Sequence, residues 1–262
     1  MTAAFAELHR AGEPLLLPCA WDHASALGLA GQGFRAIGTT SLGVAAAGGL
    51  PDGASATRDE TLRLALTLGS APFLLTVDAE DGYSDDPDEV GELARQLVAV
   101  GAVGINLEDA LGPADRHAAK IAAARAAAPG LFVNARTDTY WLGDDHGDGD
   151  GDGEGAGRFT ETMRRLDAYR EADADGVFVP GLTDPGRIAA LAAHFDVPLN
   201  VLYSPTGPAF RHLADLGVRR VSLGSLLYRR ALGAALETAA EIVAGRAPGG
   251  TTPTYDEVRA LT

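Results

Sequence analysis

The chain contains 262 residues, of which 46 % are hydrophobic and 22 % are charged, as in ordinary soluble globular proteins. Its 21 basic and 36 acidic residues give a net charge of −15. This charge argues against nucleic acid and anionic membrane surfaces as partners, because no excess of Lys and Arg is available to neutralise phosphates. The single cysteine, Cys19, excludes an intrachain disulfide. The sequence has no signal-peptide pattern and no apolar run of about 18 residues, so a cytoplasmic protein is expected.

Short apolar runs alternate along the chain with longer stretches whose apolar residues recur three and four positions apart. There are eight such runs, at 15–18, 36–40, 73–78, 103–108, 132–136, 176–180, 198–202 and 219–223. The clearest helical stretches between them are 58–69, 88–100, 115–127 and 159–172. Strands that alternate with helices predict a parallel sheet, and eight strands covered on both faces favour closure into a barrel. We therefore expect an α/β fold, a (β/α)8 TIM barrel, formed by residues 1–262 as a single domain.

The segment 144–157, "DDHGDGDGDGEGAG", interrupts this alternation. It is made almost entirely of acidic residues and Gly, so it cannot bury apolar surface, and we expect a flexible acidic insertion. Its alternating Asp and Gly superficially resemble a calcium loop. However, the EF-hand pattern requires a Glu at its twelfth position and flanking helices, and neither is clearly present.

Acidic residues collect where neighbouring predicted strands end. Asp78 and Glu80 follow the run "LLTVD", and Glu108 ends the next strand along the chain. In a parallel barrel these ends meet at one mouth, which is where such barrels carry their active sites. Three carboxylates side by side repel one another unless a cation lies among them, and oxygen ligands suit Mg²⁺ or Mn²⁺. The sequence therefore predicts a metal site held by Asp78, Glu80 and Glu108.

Arg136 follows the fifth strand and is predicted to lie across from these carboxylates. A guanidinium binds a carboxylate with two parallel hydrogen bonds, so a metal beside an Arg suits a small dicarboxylate or keto acid whose oxygen becomes anionic during reaction. Other acids at strand ends, such as Asp109 and Asp138, could instead cap the helices that follow them. Cys19 is interpreted as a packing residue, because no His is predicted beside it.

Five segments together resemble the isocitrate lyase/phosphoenolpyruvate mutase superfamily. In chain order they are "PCAWDHASALGLAGQGFRAIGTTSLGVAAAGGLPDG", "VDAEDGY", "GINLEDA", "NARTD" and "GVFVPG". The resemblance implies a (β/α)8 barrel with a C-terminal helical extension, placed here at 231–262. In this superfamily such a helix is often exchanged between subunits, which implies a homo-oligomer, either a tetramer or a dimer.

The resemblance also implies roles for individual residues. Mg²⁺ would lie near Asp78, Glu80 and Glu108, and Arg136 would bind substrate and stabilise an enolate. Ser41, Leu42 and Gly43 would meet the keto-acid end of the substrate. Asp52 matches the acid in the loop of the mutase-like members and is the candidate for proton transfer, and Asn200 matches a polar residue on the seventh strand.

The segment after the fourth strand departs from the known enzymes of this superfamily. It reads "LEDALGPADRHAAK" and contains neither the Lys-Lys-Cys-Gly-His motif of the isocitrate and methylisocitrate lyases nor the longer loop of the phosphonate enzymes. The resemblance thus implies the reaction type but not the substrate. The prediction is a Mg²⁺-dependent lyase that cleaves a C–C bond in a small 2-hydroxy or 2-keto dicarboxylate through an enolpyruvate-like enolate. The alternatives are C–P chemistry, as in a phosphoenolpyruvate mutase or phosphonopyruvate hydrolase, and a non-catalytic ligand-binding barrel.

Overall fold

A computed structural model describes residues 2–143 and 154–261. It contains strands β1 Leu15–Leu17, β2 Cys19–Ala20, β3 Ala36–Thr39, β4 Leu74–Asp78, β5 Gly104–Glu108, β6 Phe132–Arg136, β7 Gly176–Val179, β8 Leu199–Leu202 and β9 Arg220–Ser222. The helices are α1 Thr2–Leu8, α2 His23–Gly31, α3 Ser41–Gly48, α4 Arg58–Leu68, α5 Pro87–Ala99, α6 Ala114–Ala127, α7 Glu154–Glu171, α8 Pro185–His194, α9 Phe210–Asp215, α10 Leu226–Val243 and α11 Tyr255–Arg259. The predicted (β/α)8 barrel is confirmed, and each of the eight predicted runs forms a strand within a residue or two of its expected bounds.

The first barrel strand is divided in two by Pro18. Because proline has no backbone N–H, it cannot donate to the sheet, and the chain forms the separate strands β1 and β2 on either side of it. β1 pairs in parallel with β9, and β2 pairs in parallel with β3. The nine parallel strands therefore fill the eight positions of a barrel, which closes through the two halves of its first strand.

The strands are covered by helices outside and packed by side chains inside. Outward-facing residues such as Val77, Ile105 and Leu107 are fully buried beneath the helices. Phe5 of α1 and Phe132 of β6 form part of a separate apolar cluster, which closes the end of the barrel where the strands begin. The described part of the barrel interior opens to solvent at the carboxyl ends of the strands.

Polar side chains fill the middle of the barrel. Asn134 donates to Asn106 Oδ1 at 2.9 Å, and Arg220 donates to the same oxygen at 3.1 Å. Arg220 also donates to Ser222 Oγ at 3.3 Å, and Ser222 in turn donates to Asn200 Oδ1 at 3.1 Å. This hydrogen-bonded layer forms a floor two residues below the ends of the strands.

The C-terminal helical extension predicted at 231–262 corresponds to α10, which begins at Leu226, and α11. No residue of α10 is buried, and Leu232 and Leu236 are 48 % and 64 % exposed. Tyr228 holds the start of α10 against Trp21, with ring centroids 5.4 Å apart.

The predicted insertion at 144–157 lies outside the described residues except for its last four positions, which belong to α7. Within the described ranges, none of the helices combines the length and the apolar character that a membrane span requires.

Candidate active site

A cavity of about 280 Å³ opens at the carboxyl ends of the strands. This volume suits a small-molecule ligand such as a small organic acid. Six residues predicted for the site line it: Ser41, Leu42, Asp52, Asp78, Glu108 and Arg136. Part of the remaining lining is apolar and comes from Trp141, Leu142, Phe178, Pro180 and Leu202.

Arg136 is held between two acidic side chains. Its Nη1 lies 2.6 Å from Glu108 Oε2, directly across the β5–β6 register, and its Nε donates to Asp138 Oδ1 at 2.6 Å. The guanidinium also lies 5.8 Å from the ring centroid of Phe178. Burial would lower the pKa of Arg136, but Glu108, Asp138 and Asp78 outweigh it and raise that pKa. Arg136 is thus a fixed cation, and Nη2 is left to face a ligand.

Asp78 ends β4 beside the start of α3. Its backbone N–H donates to Thr39 Oγ1 at 2.9 Å, and its Oδ2 accepts from the backbone N–H of Ser41 at 3.3 Å. Its Oδ1 is buried with no hydrogen-bond partner among the described residues. The first N–H groups of a helix have no partner within the helix and favour negative charge. Ser41 and Leu42, in the first turn of α3, therefore add an anion-binding edge to the cavity.

Glu80 lies behind the cavity and does not line it. The strand ends at Asp78, and Glu80 adopts a left-handed conformation with φ of 48°, so strand alternation no longer directs its side chain. Its carboxylate accepts from the backbone N–H of Ser55 at 2.9 Å and from the hydroxyl of Thr57 at 2.5 Å. Burial raises the pKa of Glu80 despite these two hydrogen bonds. Glu80 thus anchors the 50–57 loop, which carries Asp52, to the end of β4.

Two acids that line the cavity, Glu108 and Asp52, have raised pKa values. Burial raises the pKa of Glu108 to about 8, and the charges of Asp78, Asp138 and Glu80 add to the effect against the opposing influence of Arg136. Burial also raises the pKa of Asp52, although the Ser41 hydroxyl opposes it. The thiol of Cys19 is likewise shifted by burial, to a pKa of about 12, so it is protonated at neutral pH and is a poor nucleophile.

Two further predicted residues shape the site from outside the cavity. Gly43 lies in the first turn of α3, where an added Cβ would come within 2.8 Å of Thr40 Cγ2 and of Trp21 Cβ, so only glycine allows this packing. Asn200 belongs to the hydrogen-bonded floor, two residues below Leu202, which does line the cavity.

Asp138 and Asp109 contribute more than the sequence indicated. Asp138 lines the cavity with a fully buried side chain and fixes Arg136. Asp109 lies outside the cavity, and its carboxylate accepts the backbone N–H of Asp138 at 3.0 Å and that of Leu111 at 3.0 Å. It thereby stabilises Ala110 and Leu111, whose φ values of 44° and 59° are unfavourable for residues other than glycine. The i, i+2 spacing of Arg136 and Asp138 at the end of a strand is the signal that could have revealed this pair.

The residues present fit a hydrated Mg²⁺ ion better than a fully protein-ligated metal. Within the described ranges, no three His, Cys, Asp or Glu side chains lie close enough to hold one ion directly. Mg²⁺ usually takes one or two carboxylates and keeps several waters. The unpartnered Oδ1 of Asp78, with Glu108 and Asp52 in the same lining, meets that requirement.

A larger open depression of about 630 Å³ lies at the opposite end of the barrel, where the strands begin. Some of the charged residues that line it already pair with one another, such as Arg170 and Asp196 at 2.7 Å. In TIM barrels that end serves stability rather than catalysis, so the smaller cavity is the candidate active site.

Comparison with known proteins identifies relatives across nearly the whole chain. Residues 5–243 match the family model of phosphoenolpyruvate phosphomutase. A protein of Mycobacterium tuberculosis H37Rv that is named only as uncharacterised is 42 % identical over 262 residues, covering 98 % of this chain and 95 % of the relative. The oxaloacetate decarboxylase of Pseudomonas aeruginosa PAO1 is 30 % identical over 200 residues, covering 70 % of this chain and 64 % of the enzyme.

Two solved structures extend the comparison. A crystal structure of a Burkholderia cenocepacia J2315 protein, provisionally described as a phosphonomutase, is 36 % identical, with a TM-score of 0.83 over 93 % of this chain and 98 % of that one. A phosphonopyruvate hydrolase crystallised with oxalate and Mg²⁺ is 24 % identical, with a TM-score of 0.81 over 99 % of this chain and 94 % of that one, a likeness of fold.

Proposed function

The chain belongs to the phosphoenolpyruvate phosphomutase family, within the isocitrate lyase/phosphoenolpyruvate mutase superfamily, and on this premise we propose that it is a Mg²⁺-dependent lyase. Its substrate is a small 2-hydroxy or 2-keto dicarboxylate, in which it cleaves a C–C bond through an enolpyruvate-like enolate. The observation that carries the proposal is the fixed Arg136 guanidinium, which shares a small cavity with the unpartnered oxygen of Asp78.

Arg136 is the group that recognises the substrate carboxylate. Because Nε and Nη1 already bind Asp138 and Glu108, Nη2 is directed to the ligand without any loss of side-chain freedom on binding. A cation that is fixed before the reaction stabilises negative charge as it develops on the enolate oxygen. The N–H group of Leu42 and the positive end of the α3 dipole support the same charge, while the N–H of Ser41 donates to Asp78.

Asp78 would hold Mg²⁺ with Glu108, and Glu80 would act from behind through waters. When bound there, the ion would supply Lewis-acid stabilisation of the anionic oxygen. Asp52 is proposed to move the proton. Its raised pKa and its place in the cavity lining, on a loop tied down through Glu80, suit an acid–base group.

C–P chemistry is the alternative within the same site, and it is supported by the similarity to the Burkholderia protein described as a phosphonomutase. The products separate the two reactions. A C–P hydrolase releases inorganic phosphate together with pyruvate, whereas a C–C lyase releases an oxo acid such as glyoxylate or pyruvate without phosphate.

The experiment is a thermal melt of metal-stripped protein with Mg²⁺, with oxalate as an enolpyruvate mimic, and with both. A ligand at about 100 times its Kd stabilises the folded state by about 2.7 kcal/mol, which raises Tm by roughly 5 °C for a chain of this size. We expect this shift only when both ligands are present. It should disappear in Arg136→Ala and persist in the matched control Arg219→Ala, which removes an exposed arginine at the opposite end of the barrel.

A panel of 2-hydroxy and 2-keto dicarboxylates and phosphonopyruvate, assayed for oxo acid and for phosphate, then identifies the reaction. If saturating Mg²⁺ and oxalate leave the wild-type Tm unchanged, the enolate mechanism is wrong. A shift without turnover of any compound would favour the non-catalytic ligand-binding barrel.

A further inference from the structure

The two carboxylate oxygens of Asp138 are in different situations. Oδ1 accepts from Arg136 Nε at 2.6 Å, whereas Oδ2 is buried without a hydrogen-bond partner among the described residues. The side chain is 0 % exposed and the residue lines the cavity. Leaving a charged acceptor buried and unpaired costs free energy, so a structure retains one where something else satisfies it.

Among the described residues, the backbone contacts of Asp138 hold it away from any other partner for Oδ2. Its backbone N–H donates to Asp109 Oδ1 at 3.0 Å. Its backbone oxygen accepts from the N–H groups of Trp141 and Leu142, both at 2.9 Å. The backbone is therefore fixed on both sides, and the salt bridge to Arg136 fixes the carboxylate plane. The orientation of Oδ2 is set before any ligand arrives.

A ligand carboxylate on Arg136 brings its neighbouring carbon close to Asp138. A guanidinium holds its partners in one plane. A ligand carboxylate on Nη2 would therefore lie in the same plane as the Asp138 carboxylate on Nε. A keto oxygen on that neighbouring carbon would face a carboxylate oxygen, and two acceptors repel. A hydroxyl group would instead donate to Oδ2, forming a charge-assisted hydrogen bond.

We propose that Asp138 has two functions: it positions Arg136 through Oδ1, and it accepts a hydrogen bond from the substrate through Oδ2. The substrate is then a 2-hydroxy acid rather than a 2-keto acid. This inference rests on the proposed function, because it requires Arg136 to bind the substrate carboxylate.

Asp138→Asn separates the two functions. In this variant the amide oxygen of Asn must face Arg136 Nε, because an NH₂ group cannot accept a hydrogen bond. The NH₂ group then occupies the position of Oδ2. Positioning is kept, but the acceptor becomes a donor. Asp138→Ala removes both functions. Asp215→Asn is the matched control, since Asp215 is an exposed acid at the end of α9 and does not line the cavity.

The measurement is isothermal titration calorimetry in saturating Mg²⁺, with oxalate, succinate and each enantiomer of malate. Malate differs from succinate only by the hydroxyl group. We expect wild-type protein to bind one malate enantiomer about tenfold or more tighter than succinate, as for a hydrogen bond to a charged group. Asp138→Asn should bring that ratio close to one while leaving oxalate affinity within a few fold. Asp138→Ala should weaken oxalate as well, and Asp215→Asn should preserve the ratio.

The wild-type ratio tests the inference even if a variant does not fold. Equal affinities for malate and succinate, with oxalate bound, would overturn the role of Asp138 and leave the proposed function standing. Equal weakening of all ligands by Asp138→Asn would show a structural role only and also overturn it. Failure of oxalate to bind wild-type protein would refute the proposed function, and this inference with it.

Discussion

Replacing Asp109 with Ala is expected to destabilise the fold strongly, because this carboxylate connects helix α7 to the ends of β5 and β6. It accepts five hydrogen bonds, from Thr137 Oγ1 at 2.8 Å, Tyr169 OH at 2.7 Å, Arg165 Nη1 at 2.9 Å, and the backbone N–H groups of Asp138 and Leu111 at 3.0 Å each. Burial would raise the pKa of Asp109, but these donors outweigh it and lower that pKa. Truncation leaves the donors, including a largely buried arginine, without their acceptor.

Removing one partner of a buried ion pair costs about 3–5 kcal/mol, which corresponds to a fall in Tm of roughly 6–15 °C at about 2–3 °C per kcal/mol. Differential scanning calorimetry and urea unfolding of Asp109→Ala measure this directly. Asp215→Ala, which removes an exposed acid at the end of α9, is the control and should change stability by less than about 0.5 kcal/mol.

The pH dependence provides a second check on Asp109. A carboxyl with a lowered folded pKa contributes its stability above its unfolded pKa of about 3.9 and loses it as the pH falls through the folded value. The difference between wild type and Asp109→Ala should therefore be constant from pH 5 to pH 8 and shrink below about pH 4. A difference below about 1 kcal/mol at pH 7 would refute this account of the network.

Two other properties can be tested independently. Burial lowers the pKa of His9 to about 3 and that of His117 to about 4, from 6.5, so each favours folding above pH 6.5 and loses that contribution as the pH falls. Each histidine should lower the free energy of unfolding by about 2 kcal/mol at pH 5. Urea unfolding of His9→Gln should therefore show a smaller loss of stability between pH 7 and pH 5 than wild type. Parallel pH profiles of the two proteins would contradict the reasoning. We also propose that α10 mediates homo-oligomerisation. Leu236→Glu should lower the mass measured by light scattering while Glu237→Gln does not, and an unchanged mass would exclude this face of α10 as the interface.

The barrel could be predicted because the same pattern of a short strand followed by a helix recurs along the chain. The strand residues that face the helices are apolar, and the clearest helical stretches between the strands show three-and-four spacing. This alternation predicts the parallel barrel even though inward-facing residues such as Asn106 and Asn134 are polar. The site partly follows from the same logic. Once the strands are parallel neighbours, the residues at their ends share one mouth, and Glu108 lies opposite Arg136 in the observed register.

The roles of Glu80 and Asn200 depend on geometry that spacing does not encode. Glu80 follows Asp78 by two residues, which in a continuing strand would place both on one face. The strand ends at Asp78, however, and the left-handed backbone at Glu80 sends its carboxylate to Ser55 and Thr57. Asn200 faces the barrel interior as expected, but two residues below the rim, where it joins the floor rather than the cavity.

Asp138 illustrates why acids at strand ends are hard to interpret from sequence. An acid that follows a strand is equally suited to cap a helix, bind a metal or pair with a cation, and the choice depends on which donors the tertiary structure brings within about 3 Å. Here Arg136 donates to Oδ1 of Asp138, and Asp109 fixes the backbone. Oδ2 is therefore left without a hydrogen-bond donor among the described residues. The described residues provide no hydrogen-bond donor for Oδ2, and in the proposed role a substrate hydroxyl supplies that donor.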